Sequence, residues 1–148
     1  WSTRATAIDG VATHCGDAAL DAVLGTVEVV INLLPLTPAT RGLFDARRFA
    51  AMRPDAGLVN LARGAHVVDA DLLAALDAGR LRHAVLDVFT SEPLPPSHRF
   101  WSHPQVTVLP HVAAQTDPDS ACQVVASNVK ALLAGLPLDH LVDDGRGY

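Results

Sequence analysis

One arginine, one glutamate and one histidine each sit just past an apolar run in this chain. Arg63 follows Leu58-Val59-Asn60-Leu61-Ala62, Glu92 follows Leu86-Asp87-Val88-Phe89, and His111 follows Val106-Thr107-Val108-Leu109-Pro110. Such runs read as buried strands, and in a parallel sheet the loops that leave them converge on one edge. Three separate loops would then present a guanidinium, a carboxylate and an imidazole together, a set suited to reducing a 2-keto acid. Arginine is permanently charged and forks onto a carboxylate with two parallel hydrogen bonds, so Arg63 is the candidate clamp, and it can also polarise the adjacent carbonyl. Hydride delivery leaves an alkoxide that needs a proton, and His111 is the candidate donor. A carboxylate on the far ring nitrogen would orient that ring and favour its protonated form, which is the role that suits Glu92.

The elements that must position these residues follow from alternating apolar runs and helix signals. Val27 to Leu34 is apolar apart from Glu28 and Asn32, as expected of a strand buried on both faces. Leu58 to Leu61, Ala84 to Val88 and Val106 to Leu109 read as further strands. Thr37-Pro38 offers an N-cap with proline at the first helical position, and the next clear helix runs from Ala46 to Met52. Asp69 to Ala78, with Leu72, Leu73 and Leu76 on one side and Gly79 as a stop, reads as a short amphipathic helix. Pro93, Pro95, Pro96 and Pro104 then force an extended loop that Phe100 and Trp101 are expected to pack down. A longer helix is expected from Asp117 to Gly135, its largely apolar face marked by Val124, Val125, Asn128, Val129, Leu132 and Leu133.

From about Val29 onward the chain resembles the D-isomer-specific 2-hydroxyacid dehydrogenases, and it is most similar to their glyoxylate/hydroxypyruvate reductase A branch. The resemblance is carried by Asn32-Leu33-Leu34-Pro35-Leu36-Thr37, Asn60 to His66, Leu86 to Pro96, Pro110 to Thr116 and the ending Arg146-Gly147-Tyr148. It implies that Arg63, Glu92 and His111 are the catalytic set and that Asp87 contacts the nicotinamide amide. It also places Leu34, Pro35, Leu61, Ala62, Arg63, His111 and Ala113 along the cofactor. The implied activity is NADPH-dependent reduction of glyoxylate or hydroxypyruvate to the 2-hydroxy acid, glycolate or glycerate, in a homodimer. A dehydrogenase for another D-2-hydroxy acid would share the same three residues. A non-catalytic fragment or binding module is the alternative from a different class.

A dinucleotide-binding fold normally opens with a strand and G-x-G-x-x-G, and no glycines here have that spacing. The chain begins at Trp1, and its first residues resemble the end of the family's second nucleotide-binding strand. It therefore reads as the C-terminal part of a longer enzyme and is expected to be inactive by itself. The expected fold is α/β, a partial Rossmann-like doubly wound parallel sheet lacking its first strand and glycine-rich turn. Residues 1-112 would belong to the dinucleotide-binding domain, and residues 113-148 would form a return helix and a C-terminal segment of the substrate domain. In strand order 3-2-1-4-5-6 the missing first strand is central, so the third strand is cut off from the fourth to sixth and an edge is exposed. Ser2, Thr3 and Arg4 offer two hydroxyls and a positive charge, which suit a 2'-phosphate, whereas NAD-preferring relatives place an acid there. NADP(H) is the expected cofactor, with NAD(H) possible.

Composition sets the remaining bounds. A chain of 148 residues can bury one core. Its formal net charge of -5 and its single lysine, Lys130, argue against nucleic acid as a partner. Arg63 and Arg4 would supply local positive charge for an anionic substrate and cofactor. Cys15 and Cys122 lack C-x-x-C spacing and read as reduced thiols of a cytoplasmic protein. No run approaches the roughly 18 apolar residues of a membrane span. The spacing of His14, His66, His83, His98, His103 and His140 matches no compact zinc motif, so no metal is expected. The sequence also lacks the G-x-S-x-G elbow of a serine hydrolase.

Overall fold

The computed structural model describes residues 1–142; the ending Arg146-Gly147-Tyr148 lies outside them. The chain divides into two compact units, Trp1–His111 and Val112–Tyr148. The first is built on four parallel strands, β1 (Val29–Asn32), β2 (Ala56–Asn60), β3 (Leu81–Leu86) and β4 (Val106–Val108), hydrogen-bonded in sequence order. Parallel neighbours require crossovers. Helix α2 (Ala46–Ala51) lies in the first crossover, α3 (Asp69–Asp77) in the second, and the proline-rich segment with one helical turn at Arg99–Trp101 in the third. A further helix, α1 (Asp17–Leu24), precedes β1 and buries Leu20 and Leu24, one turn apart on one face. It was not among the expected elements; its N-cap is Gly16, which supplies no side-chain cap, although Leu20, Val23 and Leu24 carry helical spacing.

Burial in the central strands follows the period of two. Ala56, Leu58, Ala84 and Leu86 join Leu20, Leu24, Phe49, Leu72 and Leu76 in one core. Val59 and Val85 on the alternate positions are only half-buried, and Ile31 and Thr107 in the same row are exposed. The expectation that the Val27 to Leu34 run is buried on both faces is therefore corrected. Only Val29–Asn32 is strand, it pairs with β2 alone, and Ile31 and Leu33 are 58% and 70% exposed. A parallel bridge between Ser2 and Cys15 stands outside the four-stranded sheet.

Two local readings also change. Thr37-Pro38 opens a series of turns rather than a helix, because the Thr40 hydroxyl donates to the Pro35 carbonyl at 2.7 Å and accepts from the Thr37 amide at 2.8 Å. Helix α2 is capped instead by Asp45, whose side chain accepts from the Arg48 amide at 2.9 Å. In the proline-rich loop Phe100 is buried against the His98 ring, 4.4 Å between centroids. Trp101 is 55% exposed, and its indole N–H donates to the Pro95 carbonyl at 3.0 Å.

The second unit contains α4 (Pro118–Leu133), capped by Asp117, which accepts from the Ser120 amide at 3.1 Å, and followed by Gly135 at φ 66°. Val125, Leu132 and Leu133 on this helix are exposed. Among the described residues no helix is long and apolar enough to cross a membrane.

Candidate active site

Asn32, Asn60, Leu86 and Val108 stand in register across the sheet. All four strands run the same way, so every residue just past this row leaves the sheet at one edge: Leu33 to Pro35, Leu61 to Arg63, Asp87 to Phe89, and Leu109 to His111. The backbone ladder continues one step beyond the row, with Leu61 N donating to Asn32 O at 3.2 Å, Asp87 N to Asn60 O at 3.0 Å, and Leu109 N to Leu86 O at 2.8 Å.

Two buried asparagines organise the turns that follow. Asn32 Nδ2 donates to Asn60 Oδ1 at 2.9 Å, and Asn32 Oδ1 accepts from the Leu34 amide at 3.2 Å. Asn60 Oδ1 also accepts from the Ala62 amide at 3.2 Å, while its Nδ2 donates to the Arg63 carbonyl at 3.0 Å. Both side chains thus fold the backbone of their own loop and join it to the neighbour's, which is how buried amides are satisfied at low cost.

Gly64 brings the Arg63 loop onto the loop that carries Glu92. A Cβ at this position would stand 1.9 Å from Phe89 C and 2.3 Å from Phe89 O and Thr90 N. Only glycine permits that approach. Glu92 then reaches back: its Oε1 accepts from the Phe89 amide at 2.8 Å, and its Oε2 lies 2.8 Å from His111 Nδ1. His111 stands at φ 57°, in the left-handed region that a non-glycine residue occupies at a cost of about 1–3 kcal/mol. The Arg63 guanidinium donates to the Ala62 carbonyl at 2.6 Å.

Arg63, Glu92 and His111 line one open cavity of about 450 Å³ together with Leu36 and Arg41. Glu92 and His111 also border an apolar hollow of about 480 Å³ that extends to Leu94 and Trp101. The three residues expected to act together are therefore assembled. Arg41 was not among the expected residues; the signal that could have found it is its place just after the Thr37 to Thr40 turn that leaves β1. The Glu92 carboxylate is held below the usual range, first by the Phe89 amide and then by the His111 ring, with burial opposing and the charges of His111 and Arg63 adding to the effect.

The residues expected along a cofactor fall in several places. Leu34 and Pro35 line a hollow of about 390 Å³ that runs beside β1 and includes Trp1, the neighbour of Ser2. Leu61 and Ala62 lead into Arg63, and Asp87 is buried directly past β3. Ser2 bridges Cys15 and its hydroxyl donates to the Arg4 carbonyl, while Thr3 and Arg4 are exposed. Ala113 belongs to the second unit. His98 faces Asp69 at 3.6 Å, His103 faces Asp77 at 3.2 Å, and His83 meets the Thr107 hydroxyl at 2.8 Å.

A parallel α/β sheet whose strand ends gather an arginine, a glutamate–histidine pair and a buried aspartate defines a nucleotide-binding class, and the family model for "D-isomer specific 2-hydroxyacid dehydrogenase, NAD binding domain" matches residues 2–113. The chain belongs to that family. Its curated relatives include glyoxylate/hydroxypyruvate reductase A of Serratia proteamaculans, 49% identical, and of Yersinia enterocolitica, 46% identical, each over all of this chain and 47% of the relative. The chain thus spans about half the length of these relatives. Among solved structures it superimposes on a D-isomer specific 2-hydroxyacid dehydrogenase from Xanthobacter autotrophicus in complex with NADPH and MES, with TM-score 0.96 and 41% identity, covering 100% of this chain and 61% of that one. It also superimposes on an NADPH-dependent glyoxylate/hydroxypyruvate reductase from Sinorhizobium meliloti in complex with NADP and sulfate, with TM-score 0.93 and 44% identity, covering 100% and 48%.

Two outcomes follow from this geometry. Gly64→Ala must push the Phe89–Thr90 backbone away, destabilising the chain by about 3 kcal/mol and parting Arg63 from Glu92; a urea midpoint equal to that of the unmutated chain would contradict it. A carboxylate depressed by folding contributes stability above its unfolded pKa and loses it as pH falls through the folded value. An NMR titration of the Glu92 carboxyl is accordingly expected to give a midpoint below 4.5, and a midpoint at or above 4.5 would refute the paired geometry.

Proposed function

We propose that this chain is the nucleotide-binding half of an NADPH-dependent reductase that converts glyoxylate and hydroxypyruvate to glycolate and glycerate. The observation that carries the reading is the single cavity in which Arg63, Glu92 and His111 meet, with Glu92 Oε2 2.8 Å from His111 Nδ1. The names of the curated relatives support the substrate class, and the NADPH and NADP complexes of the solved relatives support the cofactor.

The residues present fit the nicotinamide end of a dinucleotide: Leu34 and Pro35 offer an apolar wall, and Asp87 offers a carboxylate for an amide. Ser2, Thr3 and Arg4 suit the 2'-phosphate that distinguishes NADP. NADPH, when bound, supplies the hydride. Arg63 grips the substrate carboxylate with two parallel hydrogen bonds and polarises the adjacent ketone. His111 Nε2 donates the proton that the new alkoxide needs, because Nδ1 is engaged by Glu92. Glu92 fixes the ring's orientation and compensates its charge in the protonated state. NADH is accepted less well, since no acid stands at the Ser2 to Arg4 position.

The division of labour in the proposed enzyme follows the two units. Residues up to His111 are proposed to carry most of the cofactor contacts and the reacting groups, and α4 is proposed to belong with a substrate domain that the relatives' additional length would supply. The chain alone is accordingly proposed to be inactive, and the complete enzyme to work as a cytoplasmic homodimer. The test is cofactor oxidation by a protein of the relatives' full length that carries this chain, with hydroxypyruvate and glyoxylate as substrates and NADPH compared with NADH. Turnover that favours NADPH is expected. Turnover confined to a different 2-keto acid would reassign the substrate, and preference for NADH would overturn the role of Ser2 to Arg4.

A further inference from the structure

His66 is fully buried, and each of its ring nitrogens faces a backbone carbonyl: Nδ1 lies 3.0 Å from Arg63 O and Nε2 lies 3.3 Å from Pro35 O. These carbonyls belong to the two loops that leave β2 and β1. The histidine's own backbone is pinned, since its carbonyl accepts from Phe44 N at 2.9 Å and its amide donates to Arg63 O at 3.2 Å. The ring therefore lies between the loop of the proposed substrate clamp and the loop of the proposed cofactor wall, within reach of both carbonyls. Among the described residues no other side chain hydrogen-bonds to both carbonyls. Asn60 Nδ2 holds Arg63 O at 3.0 Å, and the Thr40 hydroxyl holds Pro35 O at 2.7 Å.

We propose that His66 is a positioning residue that sets the spacing between Arg63 and the Leu34-Pro35 loop, so that the keto acid and the nicotinamide meet at the right separation. The inference rests on the functional reading given above. Its chemical basis is that imidazole projects two hydrogen-bonding nitrogens from one rigid ring. A neutral ring donates to one carbonyl at a time, so its two tautomers tether one loop or the other. Losing either bond leaves that carbonyl its second partner, Asn60 or Thr40. The loops then stay folded but lose their common reference, and displacements of this kind weaken binding and catalysis without touching the reacting atoms.

The two contacts can be removed separately. In His66→Asn the amide nitrogen replaces Nδ1 and keeps the Arg63 side; in His66→Gln it replaces Nε2 and keeps the Pro35 side; His66→Leu keeps neither. Amide hydrogen exchange, which needs no ligand, is expected to quicken over Leu34 to Leu36 in His66→Asn and over Arg63 to Ala65 in His66→Gln. In the complete enzyme His66→Asn should raise the NADPH Kd by about tenfold while the hydroxypyruvate KM stays near that of the unmutated enzyme, and His66→Gln should do the reverse, as the loss of one buried hydrogen bond on one side implies. A merely structural histidine would lower the melting temperature of every variant and leave both constants within about twofold, and that result would overturn the proposal. Exchange unchanged in both loops would overturn it as well. An enzyme without hydroxypyruvate reductase activity would defeat the functional reading, while hydrogen exchange would still decide whether His66 joins the loops. Should His66→Leu fail to fold, the Asn and Gln variants decide the matter.

Discussion

Where parallel strands end, their last polar groups have left the ladder and have not yet reached water, and the site depends on how that problem is solved. Here the answer is the hydrogen bond between Asn32 and Asn60, two amides buried at 2% and 0% exposure in the last row of β1 and β2. An unpaired buried amide costs about 1–3 kcal/mol, so the pair must form for the edge to pack. Once it has formed, the remaining hydrogen-bonding capacity of each side chain is spent on its own turn, at Leu34 for Asn32 and at Ala62 and Arg63 for Asn60. The satisfaction of two buried polar groups thereby fixes where an arginine leaves the sheet.

The other half of the site is held by a different constraint. Glu92 and His111 sit on loops from β3 and β4, and neither is buried deeply; their side chains are 37% and 49% exposed. Their meeting depends on backbone: the Phe89 amide that anchors Glu92, the glycine that lets the Arg63 loop press against Phe89, and the left-handed conformation of His111. The energetic cost of that conformation marks His111 as a residue whose position is imposed by its surroundings. Rigid sheet, close-packed turns and two exposed partners together give a cavity whose walls are fixed while the Glu92 and His111 side chains remain accessible.

Much of this was legible in the chain. Arg63, Glu92 and His111 could be assigned to one edge because each follows an apolar run, and parallel strands leave no other arrangement. The strands, α2, α3 and α4 were visible from period and capping residues. The features that escaped notice share a cause: they are polar or small residues whose meaning depends on a distant partner. Asn32 reads as an interruption in an apolar run until Asn60 is placed beside it. His66 reads as one of several scattered histidines until the two carbonyls around it are seen. The full burial expected of β1 failed for a related reason, since an apolar run shows that a strand is apolar but not how many neighbours it has. Trp101 likewise looked like core by composition, yet only Phe100 beside it is packed.

The central claim is that Arg63 and His111 do different jobs on one substrate, and steady-state reduction of hydroxypyruvate by the Arg63→Ala and His111→Ala variants of the complete enzyme tests it most directly. Loss of the carboxylate clamp should raise KM and lower kcat/KM together, whereas loss of the proton donor should fall mainly on kcat with KM little changed. Full turnover in both variants would contradict the account.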